Sequence, residues 1–197
     1  DCSSDKTGLV MDDWASRFDN IYAYHNKENL GPGGAFIRGV KEAKLFYITY
    51  FGADDPCTAA SLSRFVDNVG PKLLISYFIN PHIRPVKRRI VTWCYGRLLN
   101  IVFFNRVKYF NHYTIYHRDL LSGLTLFSTG FSVHSEIIVK LIRSGIEYKE
   151  FPVELDEALL EGDVSSGFNL RSVRDCLYAI VKIVADVYLW REKPKSK

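Results

Sequence analysis

Two kinds of apolar pattern take turns along this chain, and that alternation limits its architecture more than any other feature. The run Leu45-Phe-Tyr-Ile-Thr-Tyr-Phe51 is unbroken and rich in β-branched and aromatic residues, and Leu73 to Phe78 is similar. Such runs suit strands covered on both faces. Around them, apolar residues recur at helical spacing: Leu9, Val10, Trp14 and Phe18 within Lys6 to Phe18, then Ala35, Phe36, Val40 and Ala43 after Pro32, then Ala59, Leu62, Phe65 and Val66 after Pro56. Asn20 to Tyr24 alternates as a short strand. A long helical pattern runs from Pro85 to about Phe104, followed by an aromatic, polar stretch from Tyr109 to His117. Ser132 to Ser144 reads as a helix, Glu147 to Val153 as a strand closed by Pro152, and Leu170 to Trp190 as the last helix. The expectation is an α/β fold, a mainly parallel central sheet with helices on both faces. No Pro/Gly/Ser-rich linker divides the chain, so one domain is expected over 1–192, with 193–197 a basic tail.

Three short segments fall where a strand or apolar stretch should meet a helix: Asp1-Cys-Ser-Ser-Asp5-Lys-Thr7, Asn29-Leu-Gly31-Pro-Gly33-Gly34-Ala35 and Gly52-Ala-Asp54-Asp55. Open α/β sheets bind phosphorylated ligands at that edge, where helix N-termini present backbone N–H groups. A departing diphosphate gains negative charge, and a divalent cation held by carboxylates offsets it; Asp54 and Asp55 stand where such a cation would sit. Acids before a proline-started helix also serve as plain N-caps, and Ser3 to Thr7 can cap a helix with no ligand at all. Both readings stay open at this point.

In order and spacing these segments resemble those of family 2 glycosyltransferases, GT-A fold enzymes that include polyprenyl-phosphate (dolichol-phosphate-type) sugar transferases. The family pattern runs Asp-Gly-Ser-Thr-Asp-Lys-Thr, Asn-x-Gly-x-x-x-Ala, and an Asp-x-Asp or Gly-Asp-Asp turn. Two later segments also match, Gly130-Phe131 through Glu136-Ile137 and Glu150-Phe-Pro152-Val153. The resemblance implies a chain lacking the family's opening strand, with Asp1, Asp5, Asn29, Gly31, Gly34 and Asp54 binding the nucleotide and Asp54 and Asp55 holding Mg²⁺ or Mn²⁺. It implies catalytic roles for Asp54 and Glu136, the latter facing the cleft as base on a sugar hydroxyl, or orienting if the acceptor is an already ionised lipid phosphate. The implied reaction moves a sugar, with inversion, from a UDP- or GDP-sugar to a polyprenyl phosphate or a glycan hydroxyl, in cell-envelope glycan synthesis at the cytoplasmic face of the membrane. The family's Arg-x-x-Gly-x-Ser loop has no arginine here between Glu154 and Gly162, so Arg171 or the cluster Arg84, Lys87, Arg88 and Arg89 would supply the charge for acceptor and phosphate.

The net charge of +4 hides a strong asymmetry. From Asn68 to Arg118 there is no Asp or Glu, while nine Lys and Arg give that segment +9 and leave −5 for the rest. An anionic partner near this segment follows, at a membrane surface where Trp93, Tyr95 and Phe104 would sit at the interface. The same basic, aromatic stretch would also suit a single-stranded nucleic-acid binder, and Gly52 with the absent loop arginine would suit an inactive transferase-like protein. The four cysteines lack C-x-x-C spacing and the histidines share no metal-ligand spacing, which points away from a zinc site or a disulfide framework.

Overall fold

The computed structural model describes residues 1–52, 57–128, 130, 132–160 and 170–190, the side chains of 170–176 and 189–190 excepted. Asp54, Asp55 and the Arg171 side chain, all expected at the site, therefore lie outside the described residues.

Helices α1 (Thr7–Arg17) and α2 (Gly31–Glu42) precede a short strand, β1 (Tyr47–Ile48). Helix α3 (Ala59–Asp67) follows, begun by Thr58, whose Oγ1 accepts from the Ser61 N–H at 3.2 Å. Then come β2 (Leu73–Phe78), α4 (Val86–Phe103), β3 (Thr114–His117), α5 (Arg118–Ser122), α6 (Val133–Arg143), β4 (Lys149–Val153), α7 (Glu157–Leu160) and α8 (Leu170–Val184), which passes into a π-helical turn at Ala185–Trp190.

The described strands form one sheet in the order β1-β3-β2-β4. β2 runs parallel to β4, pairing Leu74 with Lys149 through Phe78 with Val153. β3 lies antiparallel to both β1 and β2. The sheet is therefore mixed rather than mainly parallel, because Thr114–His117, inside the stretch read as merely aromatic and polar, is a strand inserted between β1 and β2. The helices do cover both faces. Leu73, Ile75 and Tyr116 point into a cluster with Phe36 of α2, Leu99 and Phe103 of α4, Ile137 and Ile138 of α6, and Ile180 and Ile183 of α8. Leu74 and Ile115 point the other way, onto Phe65 of α3, Val153 and Leu155. The period-two alternation of strand side chains makes this division.

Two other expectations change. Of the run 45–51 only Tyr47–Ile48 is laddered, and Leu45 and Phe46 are 76% and 69% exposed. β1 is an edge among the described strands, with Ile48 packed into one apolar layer and Tyr47 against the other. Asn20 to Tyr24 has no ladder partner among the described residues, and a strand without a partner leaves its backbone groups to solvent. The segment is tied instead by side chains, with Lys44 over the Tyr22 ring and Arg38 over that of Tyr24. Helix α1 buries none of its residues, and Trp14 stacks on Phe18 at 5.3 Å.

Helix α4 is apolar on two sides, which explains its length and its lack of a polar stripe. Leu99 and Phe103 are fully buried, while Val86, Ile90, Trp93 and Ile101 are more than half exposed. Leu99→Ala should therefore cost about 2–5 kcal/mol, and Ile101→Ala less than about 0.5 kcal/mol. Denaturant melts of both variants check the assignment of faces.

Candidate functional site

The first two loops meet through one carboxylate. Asp1 Oδ1 accepts from the Asn26 side-chain amide at 2.8 Å and from the Leu30 N–H at 2.9 Å. Asn26 in turn accepts from Arg38, whose Nη1 also donates to the His25 carbonyl at 2.7 Å. Asn29 Oδ1 accepts from the Gly31 N–H at 3.0 Å, a local turn that starts α2, and Gly31 has φ +70°, where a side chain would be strained. A Cβ at Gly34 would lie 2.6 Å from Leu30 Cβ, so the close approach this glycine permits is to Leu30. Asp5 makes a turn just before α1, whose N-cap position is Lys6 with no side-chain cap: its Oδ1 accepts from the Thr7 N–H at 2.9 Å, and the Thr7 hydroxyl and N–H hold the Asp5 carboxyl below its usual range. This turn and the joining of the two loops occur together.

A second group of polar side chains gathers at the C-terminal end of β2. Ser76, fully buried, shares a hydrogen bond with His112 Nδ1 and donates to the Tyr113 carbonyl at 2.8 Å. His112 Nε2 lies 3.6 Å from Cys57 Sγ, two residues after Asp55 in the sequence. Arg84, only 7% exposed, donates to the Tyr109 hydroxyl at 2.9 Å and lies over the rings of Phe78 and Tyr109. Burial first, then the Arg84 charge, pushes the His112 imidazole down to about 3. His134 of α6, packed against Phe36 and Tyr50 and 3.3 Å from the Tyr116 hydroxyl, is pushed down to about 4 by burial. Both are neutral, structural histidines at pH 7.

Glu136 is the main correction. It has no exposed surface, its Oε1 and Oε2 accept from the Phe127 and Ser128 N–H groups at 3.2 and 2.9 Å, and Lys140 lies 2.8 Å from Oε1. Lys140 also pairs with Asp186 beyond α8. So enclosed, both carboxylate oxygens face protein donors rather than the expected cleft. Glu136 fixes the backbone at 127–128 instead. The reading at the start of α6 missed this because the N–H groups enclosing it come from the preceding 127–128 backbone, and Lys140 beside it is held by the distant Asp186.

The glycosyl transferase family 2 model matches residues 1–124, well over half of the chain and all three segments. The chain belongs to glycosyl transferase family 2. A comparison with curated proteins finds no match. Among solved structures, this family 2 chain is similar to glucosyl-3-phosphoglycerate synthase from Mycobacterium tuberculosis in complex with phosphoglyceric acid, at 15% identity and a TM-score of 0.65 over 94% of this chain and 65% of that one. It is also similar to mannosyl-3-phosphoglycerate synthase from Rubrobacter xylanophilus, at 18% identity and a TM-score of 0.63 over 100% of this chain and 64% of that one. The Mycobacterium tuberculosis synthase with Mn²⁺, uridine diphosphate and glucosyl-3-phosphoglycerate aligns at 12% identity and 0.58, over 94% of this chain and 65% of that one. The family 2 chain thus spans just under two thirds of their length, and at such identities the likeness shows the shared GT-A fold.

Within this glycosyltransferase fold, Asp1, Asn29, Gly31 and Gly34 come together, with Asp5 at the head of α1. Of the basic cluster, Arg84 is buried against aromatic rings while Lys87 and Arg89 are exposed on the first turn of α4. Among the described residues no three His, Cys, Asp or Glu side chains gather as a metal site. A shallow cavity of about 450 Å³ lies between α1 and residues 18–24, and none of the motif residues lines it. Glu150, in the segment matched to the family's strand, ties β4 to the chain before β3: its Oε1 accepts from the Lys108 N–H at 2.7 Å. Asn26 and Arg38, which support Asp1, were missed; neither lies in a motif, and only their contacts identify them.

Two outcomes follow. Glu136→Ala leaves the Phe127 and Ser128 N–H groups without their acceptor and removes one of the two acids beside Lys140, so it should destabilise by about 3–5 kcal/mol, lowering the melting temperature by about 6–20 °C. Because His112 and His134 are depressed in the fold, their unfolded forms bind protons first on acidification. Stability from them is complete above about pH 6.5 and falls as pH drops toward 4 and 3. Thermal melts across that window should show the decline, and His134→Phe should flatten it.

Proposed function

We propose that this family 2 protein transfers a sugar, with inversion, from a UDP- or GDP-sugar to an acceptor that is already ionised, a polyprenyl phosphate. The observation that carries this reading is the Asp1 junction. One carboxylate oxygen locks the two nucleotide-type loops together, and Oδ2, with no hydrogen bond among the described residues, is assigned to a ribose hydroxyl or base N–H. Mycobacterium tuberculosis glucosyl-3-phosphoglycerate synthase, a solved neighbour, was crystallised with Mn²⁺ and uridine diphosphate, which supports a metal-assisted nucleotide donor here.

Asp54 and Asp55 offer the hard oxygen donors that Mg²⁺ and Mn²⁺ take. Such a cation supplies charge for the departing diphosphate. The chain's own residues position the donor: Asp1 at the nucleoside, supported by Asn26 and Arg38, and the turn after β1 at the diphosphate. The enclosure of Glu136 favours a phosphate acceptor over a glycan hydroxyl, since a phosphate oxygen needs no base to remove its proton. Arg84, Lys87, Arg88 and Arg89, followed by α4, supply the positive side of the acceptor region, with Arg171 a further candidate. Family membership also accounts for the three loop segments, which a nucleic-acid-binding reading leaves unexplained.

Melting with UDP or GDP plus Mn²⁺ tests the donor assignment. At about 100 times the dissociation constant, a ligand stabilises by about 2.7 kcal/mol, or roughly 5–10 °C for a chain of this size. Asp54→Ala should abolish the Mn²⁺ dependence, and Asp1→Ala should weaken nucleotide binding by about tenfold or more. No shift with any nucleotide would overturn the proposal.

A further inference from the structure

Helix α4 poses a physical problem that the donor site does not explain. A helix surface that is apolar normally faces a core, yet α4 carries a second apolar side, opposite Leu99 and Phe103, that is open. Val86 is 62% exposed, Ile90 56%, Trp93 63% and Ile101 70%, with Phe104 at the helix end 81%. These positions are spaced by three, four and seven or eight residues, so they form one outward stripe. Over 18 residues it is about 27 Å long. Phe104 adds a second cost. It sits at φ +53°, the left-handed region that a C-terminal position normally gives to Gly or Asn, and in doing so presents a phenyl ring to solvent.

The charges beside the stripe are of one sign. Lys87, Arg89 and Arg97 are exposed on the same helix, and Arg97 lies over the Trp93 ring at 5.5 Å. The first turn of α4 holds no acid, and basic side chains there oppose the helix dipole. An external anion offsets that repulsion, and the whole stretch from Asn68 to Arg118 lacks Asp and Glu. An apolar stripe with Trp, flanked by Lys87 and Arg89 and holding Arg97 between Trp93 and Ile101, suits a helix lying in a bilayer interface, where a long cation reaches up to the head groups. No helix among the described residues is long and apolar enough to cross a membrane, so contact would be at the surface.

We propose that the outward face of α4, Val86, Ile90, Trp93, Ile101 and Phe104 with Lys87, Arg89 and Arg97, docks on a membrane leaflet carrying anionic lipids. Trp93 and Phe104 insert between head groups, and the three cations meet lipid phosphates. Tyr95, grouped with them on sequence, packs on the inner side against the core and takes no part. The helix starts two residues after Arg84, so a docked α4 brings the C-terminal edge of β2 to the lipid surface. The proposal is independent of the donor chemistry, since vesicle binding needs no nucleotide.

Co-sedimentation of the full chain with vesicles tests it. Vesicles of phosphatidylcholine with phosphatidylglycerol should bind the protein on the order of 100-fold more tightly than phosphatidylcholine alone, through three cations. Added salt should reduce that preference. Ile90→Glu and Ile101→Glu, at exposed positions, should each weaken vesicle binding by about tenfold or more with an unchanged melting temperature. Trp93 fluorescence should shift to the blue on binding, and the shift should vanish in Trp93→Phe. No binding to the anionic vesicles, or equal binding by the two Glu variants, would overturn the proposal. So would a lipid-independent dimer that Ile101→Glu dissolves, since the stripe would then belong to a second copy.

Discussion

The burial of β2 on both faces is the constraint from which the rest of this molecule is organised. Leu73, Leu74, Ile75 and Ser76 are each at most 3% exposed, and the strand is flanked by β3 and β4. An interior strand must send alternate side chains into two separate apolar layers, so α3 is held on one side and α2, α4, α6 and α8 on the other. The one polar side chain in that buried stretch, Ser76, cannot be left without partners. His112 and the Tyr113 carbonyl satisfy it, and this pins the chain entering β3 to the strand end where Cys57 and Arg84 also arrive. Packing and the site edge thus share one origin.

What the sequence displays well is whatever rests on neighbours in the chain. β2 begins and ends where its apolar run does, and α4 and α6 match their periodic patterns to within a residue or so, because period and local punctuation such as Pro85 act over one or two turns. The three loop segments were visible as motifs, and family membership followed from them. Partners distant in sequence are another matter. Thr114–His117 has strand-type residues, Thr, Ile and Tyr, but its antiparallel insertion between β1 and β2 depends on segments about 40 and 70 residues away. Nothing local in the Leu45–Phe51 run distinguishes the two laddered residues from their exposed neighbours. Glu136, expected to face the cleft, is enclosed by the 127–128 backbone and Lys140, and its pattern within α6 does not show which way its side chain turns.

The enclosed Glu136 and the neutral pair His112 and His134 have a common implication. Among the described residues, these titratable side chains are taken up by protein partners or enclosed by neighbouring rings. A reaction run on such a frame relies on placing charges that already exist, in the diphosphate, in a bound cation and in the acceptor. That division suits an acceptor that arrives ionised.

The two borders of the sheet are not equivalent. On β4 the Val153 carbonyl turns inward to accept from the Ile79 N–H, so the next residue back, the exposed Pro152, turns its ring nitrogen outward. That nitrogen carries no hydrogen, and a foreign strand approaching this flank would find a gap in the row of donors. The opposite flank of the described strands, at β1, carries no proline in Tyr47–Ile48 and displays Leu45 and Phe46 just before it. Misassembly by strand stacking is thereby steered to a single flank of the described sheet, the β1 side.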